Sequence, residues 1–173
     1  MASDLLEHEY QFHREADNDF NIHMPMLRGL AERCNRVTEM GVRTGISTRA
    51  LLPVSKWLRS YDLYIDPYVE NLFEEARRIG HDAQYIKANT LSLEIEETDM
   101  LFIDTDHTYQ QLSSELMLHG EKVKKWLVFH DTGEPYAGVM LPAIMEYMAH
   151  HPRWRVLYHT RELHGFTVLV SRD

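Results

Sequence analysis

Val37–Leu52 reads VTEMGVRTGISTRALL. A short apolar, β-branched run leads into two glycines four residues apart, Gly41 and Gly45, with Glu39 two residues before the first, and then into helix formers. That order is strand, loop, helix. Gly41 lets the chain turn sharply off the strand, Gly45 permits close backbone approach by a ligand, and Ser47 or Thr48 suits the N-cap of the helix. A dinucleotide loop of the form G-x-G-x-x-G is not matched: Arg43 stands where the middle glycine would be, and no third glycine follows near Ser47. Gly-Lys-Ser/Thr, which a P-loop requires, is also absent. The pattern is E-x-G-x-x-x-G.

Outward from the loop, short β-rich runs alternate with helical ones. Upstream, residues 1–21 form an acidic arm or loose helix, and IHMPMLRGLAERC (residues 22–34) is a helix with Met26, Leu27, Leu30 and Ala31 on one stripe. Downstream, YDLYID (61–66) reads as a second strand and PYVENLFEEARRIG (67–80) as a helix closed by Gly80. DAQYIKA (82–88), DMLFID (99–104) and KWLVFHD (125–131) read as further strands, the second a nearly continuous apolar run. TYQQLSSELMLHGEKV (108–123) and AGVMLPAIMEYMAHH (137–151) are helical, with Pro142 near the first turn of the latter or kinking it. WRVLYHT (154–160) and GFTVLVS (165–171) leave no room for a crossover helix and must pair antiparallel. The expected fold is α/β: a Rossmann-like, doubly wound, seven-stranded, mostly parallel sheet with a terminal antiparallel strand and helices on both faces. Its parts are an arm (1–21), a helix (22–35) and a core (36–173) within one domain.

At 173 residues the chain suits one domain that buries roughly 70% of its unfolded surface. A net charge of −9 without a basic run argues against a nucleic-acid partner, since phosphate neutralisation supplies most of that affinity. Cys34 is the single cysteine, which excludes a disulfide framework or a thiolate cluster. The polar N-terminus lacks a signal-peptide core and no stretch reaches the ~20 apolar residues of a membrane helix. These features predict a soluble, cytoplasmic protein without a membrane partner, with a homo-oligomer as one arrangement.

In open parallel sheets ligands bind beyond the C-terminal strand ends. Those ends carry Glu39, Gly41, Asp66, Asn89, Asp104, Asp106, His107, His130 and Asp131. One such residue reads equally well as a helix cap or a satisfied core histidine; five clustered on two strand tips read as a site.

VTEMGVRTGIST resembles the first motif of class I S-adenosylmethionine-dependent methyltransferases. DMLFIDTDHTY followed by WLVFHDT resembles the small O-methyltransferase and cephalosporin-hydroxylase-like subgroup. The resemblance runs from about Val37 to the C-terminus. It implies S-adenosylmethionine as cofactor, with Glu39, Gly41, Arg43, Gly45 and Ser47 around its methionine end. Asp66, at the tip of the second strand, would accept from the ribose hydroxyls, although Asp before Pro67 also reads as a helix N-cap. Asn89 and Thr90 would form the adenine rim, with Asp104 beside the cofactor. It further implies a divalent metal, Mg or Mn, on Asp104, His130 and Asp131. Mg²⁺ prefers oxygen ligands, so His130 favours Mn²⁺, Fe²⁺ or Zn²⁺. Without metal, His107 or His130 is the candidate general base, an aspartate such as Asp104 orienting the ring.

The function so implied is methyl transfer to a hydroxyl of a small-molecule or glycan acceptor. A cofactor-binding scaffold without turnover is the second class. An NAD-dependent oxidoreductase is the third, weakened by the missing middle glycine.

Overall fold

Apolar strands that do not alternate in polarity have to be covered on both faces. The computed structural model, which describes residues 4–172, covers them. Strands β1 (Val37–Met40), β2 (Trp57–Asp62), β3 (Asp82–Lys87), β4 (Thr98–Ile103), β5 (Val123–His130), β6 (Trp154–Thr160) and β7 (Phe166–Ser171) form one sheet in the order β3-β2-β1-β4-β5-β7-β6. Strands β1 to β5 are parallel to one another; β7 is antiparallel to both β5 and β6. This is the sheet expected from the sequence.

Alternate residues of β4 serve opposite faces. Met100 and Phe102 pack toward α1 (Asp4–Glu15), α2 (Met24–Ala31), α3 (Ile46–Leu51) and α4 (Pro67–Arg78). Leu101 and Ile103 pack toward α5 (Tyr109–His119) and α6 (Ala137–His150). Phe102, fully buried, meets Phe20 edge-on and lies beside Phe166, so the first face is pinned at its centre by aromatic contacts.

Four local readings are corrected. The second strand is Trp57–Asp62, ending four residues before Asp66, because its register on β1 pairs Val37 with Leu58 and Met40 with Tyr61. Gly45, in left-handed conformation at φ +76°, is the N-cap of α3; Ser47 and Thr48 lie inside the helix. In α2 the buried methionine is Met24, whereas Met26 is exposed. The acidic arm contains an ordered helix, α1, that buries Leu6, Glu9 and Tyr10. Pro142 sits inside α6 and offers no N–H to the Gly138 carbonyl. Among the described residues no helix is long and apolar enough to cross a membrane.

The strand order reverses between β1 and β4, and there the sheet is tightest. A Cβ on Gly41 (φ +86°) would overlap the Asp104 backbone carbonyl, so glycine is required by both torsion and space. Phe102→Ala should cost about 3–5 kcal/mol, whereas Leu157→Ala on the exposed edge strand should stay within about 0.5 kcal/mol. Urea unfolding of the two variants measures the contrast.

Candidate active site

The C-terminal ends of the strands open into a cleft of about 1070 Å³. Gly41, Arg43, Ser47, Asp66, Asn89, Thr90, Asp104, His107, His130 and Asp131 all line it. That volume lies at the upper end of small-molecule sites, enough for a nucleoside cofactor and an acceptor together.

Glu39 does not line the cleft. It is 0% exposed beneath the glycine loop, where its carboxylate accepts from Ser47 Oγ (2.7 Å), Thr48 Oγ1 (3.0 Å) and Ser60 Oγ (2.6 Å). The hydroxyls expected to cap α3 are taken by this acid, which ties β1, β2 and α3 together. Burial pushes the Glu39 carboxyl up to about 7, against the three hydroxyl bonds, which favour the ionised form. Gly45 differs from expectation in the same way. A Cβ there would lie 2.7 Å from Val69 Cγ2 and 3.0 Å from Arg49 Nη1, so the packing of α4 and Arg49, rather than a ligand, requires glycine.

Asp62, which the sequence reading passed over, is the acid at the tip of β2. Its Oδ2 accepts from the backbone amides of Val42 (2.8 Å) and Arg43 (2.9 Å), and its Oδ1 from Tyr64 N (3.0 Å). Asp66, carried past the strand end, caps α4 by accepting from Tyr68 N (2.8 Å) and Val69 N (3.1 Å). The signal for Asp62 was the apolar Trp57, Leu58 and Tyr61 around an internal Arg59-Ser60 pair. At the next tip Asn89 caps the 3-10 turn Thr90–Ser92. Thr90 donates to the buried Glu115 (2.6 Å), which also accepts from Thr105 (2.8 Å) and Gln111 (2.9 Å). This buried network fixes the Asn89–Thr90 rim to the tip of β4.

At the tips of β4 and β5, Asp104, His107, His130 and Asp131 converge; Asp106 is exposed and stands apart. His107 Nε2 lies 2.8 Å from Asp131 Oδ2 and 3.6 Å from Asp104 Oδ1. His130 Nδ1 lies 3.1 Å from Asp131 Oδ2 and 3.4 Å from Asp104 Oδ2. Hydrogen bonds that its Nε2 donates to Asp104 and Asp131 raise His107 to about 10. For His130 burial opposes, but the same two aspartates prevail and raise it to about 10. Asp131 is held well below the ordinary carboxylate range: its burial is outweighed by the two imidazoles. Asp131 also sits at φ +55°, a left-handed conformation that Asp tolerates better than most residues.

The back of this cluster is sealed by the β6–β7 turn. His130 Nε2 donates to the Leu163 carbonyl (3.2 Å), and His23 Nε2 donates to the carbonyls of Glu162 (3.1 Å) and Leu163 (3.3 Å). Because the Leu163 carbonyl takes Nε2, only Nδ1 of His130 faces the acids, and the ring is 3% exposed. This changes two readings. His130 is a buried, satisfied imidazole unsuited to take a proton from an acceptor. The group whose ligand atoms all fall within 4.8 Å of one another is Asp104, His107 and Asp131, with His107 in the place expected of His130. Two carboxylates and one imidazole fit a divalent ion and suit Mn²⁺, Fe²⁺ or Zn²⁺ better than Mg²⁺.

Tyr136, whose ring centre lies 4.4 Å from that of His107, and His164 complete the outer wall. No local pattern in the sequence marked either. Elsewhere His150 is exposed at the end of α6, and the Cys34 thiol, partly buried, is pushed up to about 12 by burial.

Three solved structures share this architecture across nearly the whole chain. The SAH-bound methyltransferase PaMTH1 of Podospora anserina aligns with a TM-score of 0.63 at 17% identity, over 99% of this chain and 89% of that one. The fold is that of the S-adenosylmethionine-dependent methyltransferases. The N-methyltransferase NodS of Bradyrhizobium japonicum WM9, in complex with S-adenosylhomocysteine, aligns at 0.64 and 12% identity over 98% of this chain and 97% of that one. The O-methyltransferase of Bacillus cereus in complex with SAH aligns at 0.60 and 14% identity, over 99% and 92%. No sequence-family model matches the chain, and no curated protein matches it by sequence. The likeness to these structures is therefore one of fold.

The buried acid gives a pH signature. Glu39 is neutral in both states below its ordinary value of 4.5; above that the unfolded chain ionises while the folded one resists until about 7. Its contribution to stability is therefore present at low pH and lost as pH rises through that window, by about 3 kcal/mol at most. Glu39→Gln should remove that slope, so the stability difference between variant and wild type should shift in favour of the variant from pH 4.5 to 7. Denaturant melts across the range measure it.

Proposed function

We propose that the protein transfers a methyl group from S-adenosylmethionine to a hydroxyl of a small-molecule or sugar-containing acceptor. One observation carries this reading: a single cleft joins the glycine loop, the acids of β2 and the Asn89–Thr90 rim to the Asp/His cluster of β4 and β5. The SAH-bound neighbours of the same fold support the choice of cofactor.

In this reading Asp62, at the tip of β2, takes the ribose diol, an ionised acceptor being well matched to two hydroxyls. Gly41 and Arg43 flank the methionine end, Ser47 lies below them, and Asn89 and Thr90 border the adenine. Asp66 holds α4 in place behind the ribose. The acceptor lies against His107 and Tyr136. Its oxygen attacks the methyl carbon, the carbon–sulfur bond breaks with its electron pair left on sulfur, and the hydroxyl proton is released to a base. His107 and His130 already carry their second protons near neutral pH, so Asp104 receives that proton. Its side chain lines the cleft, and its contacts to the two imidazoles are the longer ones, 3.4 and 3.6 Å. His130 and Asp131 hold the geometry. Most of the acceleration comes from keeping oxygen, carbon and sulfur in line. A divalent ion held by Asp104, His107 and Asp131 would lower the pKa of the acceptor hydroxyl.

Calorimetric titration with S-adenosylhomocysteine should show micromolar binding, with NAD silent in parallel. Asp62→Asn should weaken the nucleoside at least tenfold and Asp66→Asn less than threefold, from loss of ribose bonds worth about 1.4 kcal/mol or more. NAD binding in place of the nucleoside would overturn the transferase reading. In a separate titration, Asp131→Ala should abolish Mn²⁺ binding, followed by paramagnetic resonance, with nucleoside affinity nearly unchanged. Equal ion uptake by variant and wild type would remove the metal from the reading.

A further inference from the structure

Helix α1 reaches the cofactor side of the cleft through one buried carboxylate. Glu9 projects from α1 into the junction of α3 and α4, 8% exposed. Its Oε2 accepts from Arg49 Nε at 2.8 Å, and its Oε1 accepts from Tyr68 Oη at 2.7 Å. Arg49, itself 5% exposed, also donates from Nη1 to the Thr44 carbonyl at 2.6 Å. Thr44 is the residue before Gly45, and a Cβ on Gly45 would come within 3.0 Å of that Nη1. Tyr68 follows Pro67, and its amide closes the cap on Asp66. Each oxygen of Glu9 therefore serves a different wall of the cleft: one holds the glycine loop through Arg49, the other the Asp62–Asp66 loop through Tyr68.

A buried guanidinium needs a buried counter-charge, because an unpaired one is strongly disfavoured. The counter-charge here comes from an element outside the strand–loop–helix unit. The Thr44 carbonyl is consequently held in register by α1. Burial would raise the Glu9 carboxyl, yet the bonds from Arg49 and Tyr68 hold it below its ordinary value, in accord with an ionised partner.

We propose that Glu9 is a positioning residue for cofactor binding, holding the two loops that bracket the nucleoside through Arg49 and Tyr68. For the identity of the cofactor this rests on the transferase reading; the arrangement of the loops does not. S-adenosylhomocysteine titrations well below the melting temperature, on wild type, Glu9→Gln, Glu9→Ala and Tyr68→Phe, test it alongside amide hydrogen exchange without ligand. Glu9→Ala should weaken the nucleoside at least tenfold. Glu9→Gln keeps one acceptor oxygen and should weaken it less, and Tyr68→Phe by a few-fold. Exchange in the substituted proteins should quicken across residues 42–46 while the β4 and β5 amides stay protected. A role confined to stability predicts a lower melting temperature with affinities within twofold and unaltered exchange at 42–46, and that result would overturn the proposal. If Glu9→Ala does not fold, Glu9→Gln and Tyr68→Phe carry the same comparison. If wild type binds no nucleoside, the cofactor reading fails, and the exchange pattern alone decides whether Glu9 holds the loop.

Discussion

A carboxylate sealed under the first loop and met by three hydroxyls sets the terms for the rest of the site. Glu39 joins strand β1 to Ser60 on β2 and to Ser47 and Thr48 on α3. Without those donors an acid in that position would carry the full cost of burial. With them it fixes the angle at which α3 leaves the sheet, and hence the path of residues 41–45 between. The cleft walls follow: Asp62 reaches across to amides of the loop that this angle sets, and Gly41 admits the β4 backbone at the point where the strand order reverses.

The cluster at the opposite tips obeys the same rule with charges in place of hydroxyls. Two carboxylates so close together repel; the two imidazoles between them are both raised well above their ordinary values, which favours the protonated form that offsets the acids. A metal entering at Asp104, His107 and Asp131 competes with a proton on His107.

Sequence alone made the sheet legible where strands were apolar throughout. β4, β5 and β7 are found nearly at their expected limits because no long-range partner is needed to explain Met100–Ile103 or Phe166–Val170. β2 was displaced because Arg59 and Ser60 look like loop residues. Inside the protein they are matched by Asp82 and Glu39, partners distant in sequence. The same blindness misplaced the cap of α3: Ser47 and Thr48 are good caps locally, but the helix already begins at Gly45, and inside it both hydroxyls donate to the buried Glu39. What sets His130 apart from His107 is the Leu163 carbonyl, thirty-three residues beyond His130 and supplied by a turn, which engages its Nε2. Spacing within FIDTDHTY and FHDT carries no trace of it.

Strand β7 enters the sheet between β5 and β6, and its first residue, Phe166, pairs with His130. That insertion brings the turn at 161–165 back to the wall of the cleft, far from the residues of β1, β2 and β3 that bound its other end. The last hairpin therefore walls one end of the cleft, joined there by Phe20 and His23 from the N-terminal part, while β1 to β3 bound the other. Sequence drift in the last hairpin can reshape one end while the other keeps its form. Change in the hairpin thus reaches the Asp/His cluster through the Leu163 carbonyl and leaves the glycine loop, tied to Asp62, as it was.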